Sequence, residues 1–431
     1  MRILVITDVL WRNDNGVGNS YSNIFDGMPG IEVSNICCQE GVSENLISHQ
    51  CFQISEARLL NNLRNKSVSS GIVENREDSK KIEESVGKKS CVVKYLKRSR
   101  FQILFWIRNM IWKIGHWKSK ELKKFIDDFN PDIVFAQLQD KVYLNNVVSF
   151  VKDYTQKPLV LYAWDDIYSM KQFSFSPLFW ADRLYQRKSI RKLVHKSSIL
   201  YTISAEQKAE YNRTLNIRTE LLFKGKIFNN KPEIKHNDGC LQILYTGNLY
   251  SGRLDTIIQL CKKLHEINRQ KLIAELHIYS GTDLSKKQIN QINKYIGSYF
   301  HGRVSENEVK NLQNKADILL HIEPMSLRGS LLCRLSFSTK LVDYFYNAKC
   351  IFAVGSKRCS SMRYLKKYDA AIVSYDLKQA EEALEHLLEN RDLIEEYSNK
   401  AWICGYNNHQ IEEIQQRILA DFVSLMNGIK E

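Results

Sequence analysis

Short runs dominated by aliphatic and β-branched residues alternate along this chain with longer stretches of helical periodicity. That alternation restricts the fold more than any other feature. Arg2 to Val9, Asp132 to Leu138, Leu159 to Trp164 and Ile199 to Ile203 are such runs in the first half; Leu241 to Thr246, Glu275 to Tyr279, Ile318 to Ile322, Ile351 to Val354 and Ala371 to Ser374 are their counterparts in the second. A strand without polar alternation is buried on both faces, the condition of a strand inside a parallel sheet covered by helices. Helices between successive strands imply right-handed βαβ units and an α/β class. The chain has 431 residues, more than one ordinary core accommodates, so two domains are expected.

The polar, turn-rich stretch from Lys224 to Gly239 marks the boundary, because a new strand begins at Leu241. The expected division is a first domain over 1–225, a linker over 226–239 and a second domain over 240–405. A tail over 406–431, amphipathic from His409 to Met426, is expected to cross back to the first domain. Asn61 to Lys89 is polar and aperiodic and reads as an inserted loop. Ser204, Ser285 and Ser305 each precede Gln or Glu by three residues and predict capping boxes.

Hydrophobic residues make up 44% and charged residues 26% of the chain, the balance of a soluble globular protein. The net charge of +14 suits nucleic acid, an anionic membrane surface or phosphorylated substrates. The N-terminal apolar run is too short for a signal peptide, and no segment approaches the length needed to span a bilayer. Ten cysteines include no Cys-x-x-Cys pair, so structural zinc is not expected and free thiols in a reducing cytoplasm are.

Three stretches in the second half carry chemistry. Tyr245 to Arg253 runs from a strand through Gly247 and Gly252 into a helix. Glycine lets a backbone approach an anion, and a helix N-terminus offers free N–H groups. Arg253 can add a forked contact to phosphate. In Phe337 to Phe345, Ser338 or Thr339 can cap a helix whose first turn holds Lys340. A cation there opposes the helix dipole unless an anion shares the site. Asp343, a turn later, can accept from two vicinal hydroxyls. In Phe300 to Ser305 a glycine turn places Arg303 beside a new helix. Each stretch taken alone also fits an ordinary turn or helix start.

In this order and spacing the three stretches resemble the second domain of GT-B fold glycosyltransferases of the family 4-like group. Gly247-Asn248-Leu249 with Arg253, Gly302-Arg303-Val304-Ser305, and Ser338-Thr339-Lys340-Leu341-Val342-Asp343-Tyr344 followed by Ala348-Lys349-Cys350-Ile351 carry the resemblance. It implies two Rossmann-like domains with parallel sheets facing an interdomain cleft. It further implies that Asn248 and Arg253 hold a donor pyrophosphate, with Thr339 and Lys340 beside it and Asp343 on the ribose. Arg303 and Val304 would flank the base, and Gly16, in the loop Asp14 to Asn19, would face the donor from the first domain. Arg253 and Lys340 would stabilise the departing nucleoside diphosphate, so neither a metal nor another cofactor is expected. Asp165 or Asp166, at the end of a strand, would meet the acceptor hydroxyl. Asp343 replaces the usual Glu, and Leu335 stands where many relatives carry another Glu, eight residues before it.

The implied activity is retaining, metal-independent transfer of a sugar from a nucleotide-sugar donor to a glycan or lipid-linked acceptor, in capsule or lipopolysaccharide assembly. A nucleotide-sugar 2-epimerase and an inactive binding scaffold are the alternatives. From Lys88 to Lys124, cationic residues interleave with Tyr95, Phe101, Phe105, Trp106, Trp112 and Trp117, and a second basic helix is expected from Arg183 to Lys196. Such segments suit an anionic membrane surface, which predicts a peripheral position on the cytoplasmic face of the cell membrane; the alternative is aromatics packed in the core. No recognised nucleic-acid module appears, so nucleic acid is not an expected partner.

Overall fold

The computed structural model describes residues 1–12, 15–43, 47–74, 102–233 and 239–428. Among these described residues, fourteen strands form two sheets. The first holds β1 (Arg2–Thr7), β2 (Glu32–Cys37), β3 (Ser48–Ile54), β4 (Gly71–Val73), β5 (Ile133–Gln137), β6 (Leu159–Ala163), β7 (Ile199–Thr202) and β8 (Thr219–Leu221). Its order is β4-β3-β2-β1-β5-β6-β7-β8, parallel throughout except β4, which runs antiparallel to β3. The second holds β9 (Leu241–Thr246), β10 (Ala274–Tyr279), β11 (Ser298–Gly302), β12 (Ile318–Ile322), β13 (Cys350–Val354) and β14 (Ile372–Ser374). Its order is β11-β10-β9-β12-β13-β14, all parallel. These are doubly wound sheets. Their order reverses between β1 and β5 and between β9 and β12, and the loops leaving those strands open into the space between the sheets.

The apolar runs are strands because their burial demands it: every residue of β5, β6, β7, β12 and β13 is buried. The apolar pattern does not mark β2 and β3, because Ser34, Asn35 and Gln53 interrupt it, nor β4 and β8, which are three residues long. Those polar groups are satisfied inside the fold, Asn35 donating to the Val5 carbonyl and Gln53 to that of Gly41. The segment read as an inserted loop begins inside the helix Glu56–Arg64 and contains β4, so that part is structured; its remainder, 75–89, lies outside the described residues. Ser285 and Ser305 form complete capping boxes. At Ser204 only half a box forms, because Gln207 accepts from the Ile203 N–H instead.

Two chain crossings join the halves. Lys226 donates its backbone N–H to the His409 carbonyl, Ile411 returns one to the Lys226 carbonyl, and Gln410 bonds both backbone groups of Phe228. The last helix, Ile411–Asn427, packs on the first domain. Asp421 accepts from Tyr201 at 2.7 Å and pairs with Arg218 at 2.6 Å, and Gln415 donates to the carbonyls of Ile24 and Asp26. One continuous hydrophobic cluster therefore includes Ile3, Phe135 and Tyr201 together with Leu341, Phe345 and Phe422.

Among the described residues, no helix is long and apolar enough to cross a membrane. All nine described cysteines are free thiols. The basic aromatic stretch divides: 88–101 lies outside the described residues, whereas Trp112 and Trp117 are buried in the first-domain core. Trp112 donates to Glu56 at 2.7 Å and stacks on Tyr143. This corrects their reading as membrane aromatics: packing and a hydrogen-bond partner hold both rings inside. Trp106, Ile107, Met110 and Ile114 of the helix Gln102–Ile114 are exposed.

Candidate active site in the interdomain crevice

Two cavities adjoin in the crevice between the sheets. One, about 870 Å³, is lined by Gly16, Asn19, Ser20 and Lys224 of the first half. From the second half come the loop after β9 (Thr246, Gly247, Asn248), the loop after β10 (Tyr279 to Gly281), Arg303 to Ser305, and Thr339, Lys340 and Asp343. The other, about 1180 Å³, has Gln137 to Lys141, Asp165, Asp166 and the Phe173–Gln186 region on one wall and Arg253, Glu323, Arg328, Cys333 and Ser336 on the other. Both lie beyond the carboxyl ends of parallel strands, where doubly wound folds place ligands.

The smaller cavity unites Gly16, Gly247, Asn248, Arg303, Val304, Thr339, Lys340 and Asp343. Lys340 opens the helix Lys340–Tyr346 and reaches back to the carbonyl of Thr246, donating at 2.8 Å. Gly247 makes room for it: a Cβ there would lie 3.1 Å from the Lys340 ammonium and 2.9 Å from the Tyr245 hydroxyl. An ammonium has three protons, and its remaining two have no protein acceptor among the described residues. Burial, with Arg253 nearby, pulls the Lys340 ammonium below the usual lysine range, so the site favours an anion that restores its charge. Neither Ser338 nor Thr339 caps this helix through its side chain, contrary to expectation. Ser338 instead accepts at its backbone carbonyl from the Leu341 N–H.

Asp343 is not free. Lys224, at the first chain crossing, donates to both its carboxylate oxygens at 2.9 and 2.7 Å, and Lys226 lies 3.4 Å away. Nothing in the local sequence links position 224 to 343; the pair exists because the crossing passes over the helix.

Arg253 lies in the partition. Its Nε donates to the Ile322 carbonyl, one Nη pairs with Glu323 at 2.9 Å, and the other reaches the Asn248 side chain at 3.3 Å. The guanidinium thus bonds a residue of the smaller cavity while lining the larger one. Glu323 is 5% exposed. Burial pushes its carboxyl up, but His321 and Arg253 outweigh that and hold it below the usual range. His321 Nε2 lies 3.4 Å from Glu323 without hydrogen-bond geometry. Glu323 is not among the expected site residues, although an acid directly after the largely apolar strand Ile318–Ile322 is a legible signal. Leu335 is fully buried against the first-domain core, so the position eight before Asp343 does not face the smaller cavity.

Asp165 and Asp166 separate sharply. Asp165 is exposed in the larger cavity, where Ser336 donates to it across the crevice at 2.7 Å. Asp166 lines the same cavity, yet its carboxylate is buried and engaged. It accepts from the Ser169 N–H and hydroxyl and pairs with Arg183 at 3.5 Å and Arg334 at 3.0 Å. Such a carboxylate ties chain segments together rather than taking an acceptor proton. This corrects Asp166 as a catalytic candidate. Arg334 also forks onto Glu210 at 2.6 and 2.9 Å, and Ser204 donates to the Leu335 carbonyl. Residues 334–336 are therefore clamped to the first domain. Among the described residues, no group of three or more His, Cys, Asp or Glu is placed to hold a metal.

No protein-family model matches this sequence, and no curated protein is significantly similar to it. Solved structures are similar along the whole chain. HepE of Anabaena, in complex with UDP, matches with a TM-score of 0.64 at 12% identity, covering 98% of this chain and 100% of that one. Sucrose-phosphate synthase of Thermosynechococcus elongatus matches with a TM-score of 0.65 at 10% identity, covering 99% and 100%. A UDP-forming α,α-trehalose-phosphate synthase of Burkholderia xenovorans, in complex with glucose-6-phosphate, matches with a TM-score of 0.59 at 8% identity, covering 97% and 99%. At these identities the likeness establishes architecture, and the architecture is the GT-B fold: two parallel-sheet α/β domains facing one crevice.

Proposed function

We propose that this protein is a glycosyltransferase that moves a hexosyl group from a nucleotide-sugar donor to a glycan or lipid-linked acceptor. The observation that carries this reading is the gathering of Gly247, Asn248, Thr339, Lys340 and Asp343 on one cavity, with Arg303 and Val304 along it and Gly16 opposite. The donor diphosphate lies against Lys340 and the Gly247–Asn248 backbone, and Asp343 exchanges Lys224 for ribose hydroxyls. Arg253, held by Glu323 at the partition, faces the bond that breaks. Transfer retains configuration, and cationic side chains rather than a metal take up charge on the departing diphosphate. The acceptor occupies the larger cavity with Asp165 at its reacting hydroxyl. UDP in the HepE complex and the UDP-forming activity named for the Burkholderia protein support a uridine nucleotide.

The test is calorimetric titration of UDP, GDP, ADP and UDP-glucose, followed by nucleotide-release assays with and without sugar acceptors. Saturable binding of one nucleoside diphosphate and acceptor-dependent release support transfer. Acceptor-independent conversion of the sugar supports the epimerase alternative, and binding without turnover the inactive scaffold. Failure of all nucleotides to bind ends the proposal.

The setting we propose is surface-polysaccharide assembly at the cytoplasmic membrane face. Trp106, Ile107, Met110, Ile114 and Lys113 are exposed on the helix Gln102–Ile114, which gives Arg108 and Asn109 to the acceptor cavity, and Leu178, Leu184, Tyr185, Lys188 and Lys192 are exposed on the helix Pro177–Val194, which gives it Phe179, Asp182, Arg183 and Gln186. Apolar side chains ringed by lysine suit an anionic headgroup layer. Flotation with anionic and neutral liposomes tests it: selective recovery with anionic vesicles supports the surface, and no recovery with either refutes it.

A further inference from the structure

We infer that the larger cavity accepts a sugar whose reacting unit carries no phosphate or carboxylate, recognised through its hydroxyls by Asp140, Asp165 and Asp182. This rests on the glycosyl-transfer reading and adds to it the chemical class of the acceptor.

The charge of the first-domain wall runs against that of the molecule. The chain is strongly basic, at +14, yet the cations on this wall are consumed internally. Arg108 pairs with Glu56 at 2.5 Å and lies over the Tyr143 ring, and Lys141 pairs with Asp8. Arg183 spends its guanidinium on the carbonyls of Asp166 and Ser169 and on the Asp166 carboxylate. Three carboxylates on the same wall lack a cation among the described residues. Asp140 is exposed in the cavity with no ion pair, Asp165 accepts only from Ser336, and Asp182 accepts from Gln186 at 2.7 Å. Enclosure raises the carboxyls of Asp140 and Asp182 above their ordinary range; Asp165 adds to the rise at Asp140 and Asp140 to that at Asp182, and the pull of Lys141 and Arg183 in the other direction does not outweigh it. A further anion entering this space would meet like charges and, among the described residues, no free cation on its own side.

The remaining groups suit hydroxyls. Gln139 and Gln172 offer amides, and Phe173 and Phe179 offer ring faces. Carboxylates and amides bond vicinal hydroxyls, and aromatic faces cover sugar C–H groups. The cations that remain, Arg253 and Arg328, belong to the opposite wall. The first is neutralised by Glu323 and the second is exposed, so positive charge is offered where the donor phosphates leave.

The experiment uses the full chain saturated with UDP at low salt. Methyl glycosides of glucose, galactose, mannose and N-acetylglucosamine, and the corresponding 6-phosphates, are titrated by ligand-observed NMR. At least one neutral glycoside should bind tenfold or more tightly than its phosphate. Asp140→Asn with Asp182→Asn, near-isosteric changes, should narrow that ratio to threefold or less without altering UDP affinity; Asp182→Asn alone should give part of the effect. A phosphate that binds as well as its neutral counterpart overturns the inference, as does an unchanged ratio in the double variant. So does the failure of every sugar to bind while UDP still does, which leaves the transferase reading standing. Loss of UDP binding by the unaltered protein removes both.

Discussion

Replacing Lys340 by Met removes one ammonium and keeps nearly the same side-chain length. In the free protein that ammonium is enclosed, near Arg253, and bonded to one carbonyl. Its charge is costly there, so the variant should unfold no earlier than the parent. Binding should suffer instead. A hydrogen bond to a charged group contributes about 1.5–3 kcal/mol, or roughly 10- to 150-fold in affinity. Take a loss of about 30-fold and UDP at about 100 times the parental Kd. Ligand stabilisation then falls from about 2.7 to about 0.9 kcal/mol. Unfolding entropy of about 2 cal/mol/K per residue gives about 0.9 kcal/mol/K for 431 residues. The UDP-induced rise in Tm should therefore shrink from about 3 °C to about 1 °C, read by scanning fluorimetry and checked by calorimetric Kd. The sign with pH follows: the parent loses UDP affinity as pH rises through the lowered Lys340 pKa, because the ammonium is then neutral, and the variant does not. A variant with an undiminished Tm shift and unchanged Kd would refute the placement of the diphosphate.

Arg334→Ala removes the fork onto Glu210 and leaves Asp166 with one cation fewer; breaking a buried pair costs about 3–5 kcal/mol. Urea unfolding should register most of that, and a change under about 1 kcal/mol would contradict the clamp. Asp165→Asn should keep the parental Tm and lower acceptor turnover about tenfold or more, whereas Asp166→Asn should lower Tm; the reverse pattern would sink the distinction drawn between them. His409 is fully buried, its Nδ1 donating to the Lys224 carbonyl and its Nε2 bonded to the Tyr364 hydroxyl, and burial pushes its imidazole down to about 4. The unfolded chain, with an ordinary value of about 6.5, binds the proton first as pH falls. Stability from this residue is therefore complete above pH 6.5 and is lost, up to about 3 kcal/mol, between 6.5 and 4. Guanidinium midpoints across that range, compared with His409→Gln, should show the variant's curve flatter by that amount.

The layers and part of the smaller cavity were legible in the sequence. Runs such as Ile318 to Ile322 suit the inside of a parallel sheet, and Gly247 directly follows a strand whose end opens on the crevice, whereas Lys340 and Asp343 stand out only by their place in the helix before β13. Strands β2 and β3 stayed hidden because their buried polar groups are satisfied by partners in other strands, and no local pattern encodes those partners. Only the tertiary structure decided which charges remain available. It withdrew Asp166 into a buried network, left Asp165 open beside it, set Lys224 on Asp343 and coupled Arg253 to Glu323. The reason is physical: residue type fixes what a side chain can do, but its charge counts for a ligand only if folding leaves it unpaired, and pairing joins positions as distant as 166 and 334 that the linear order keeps apart.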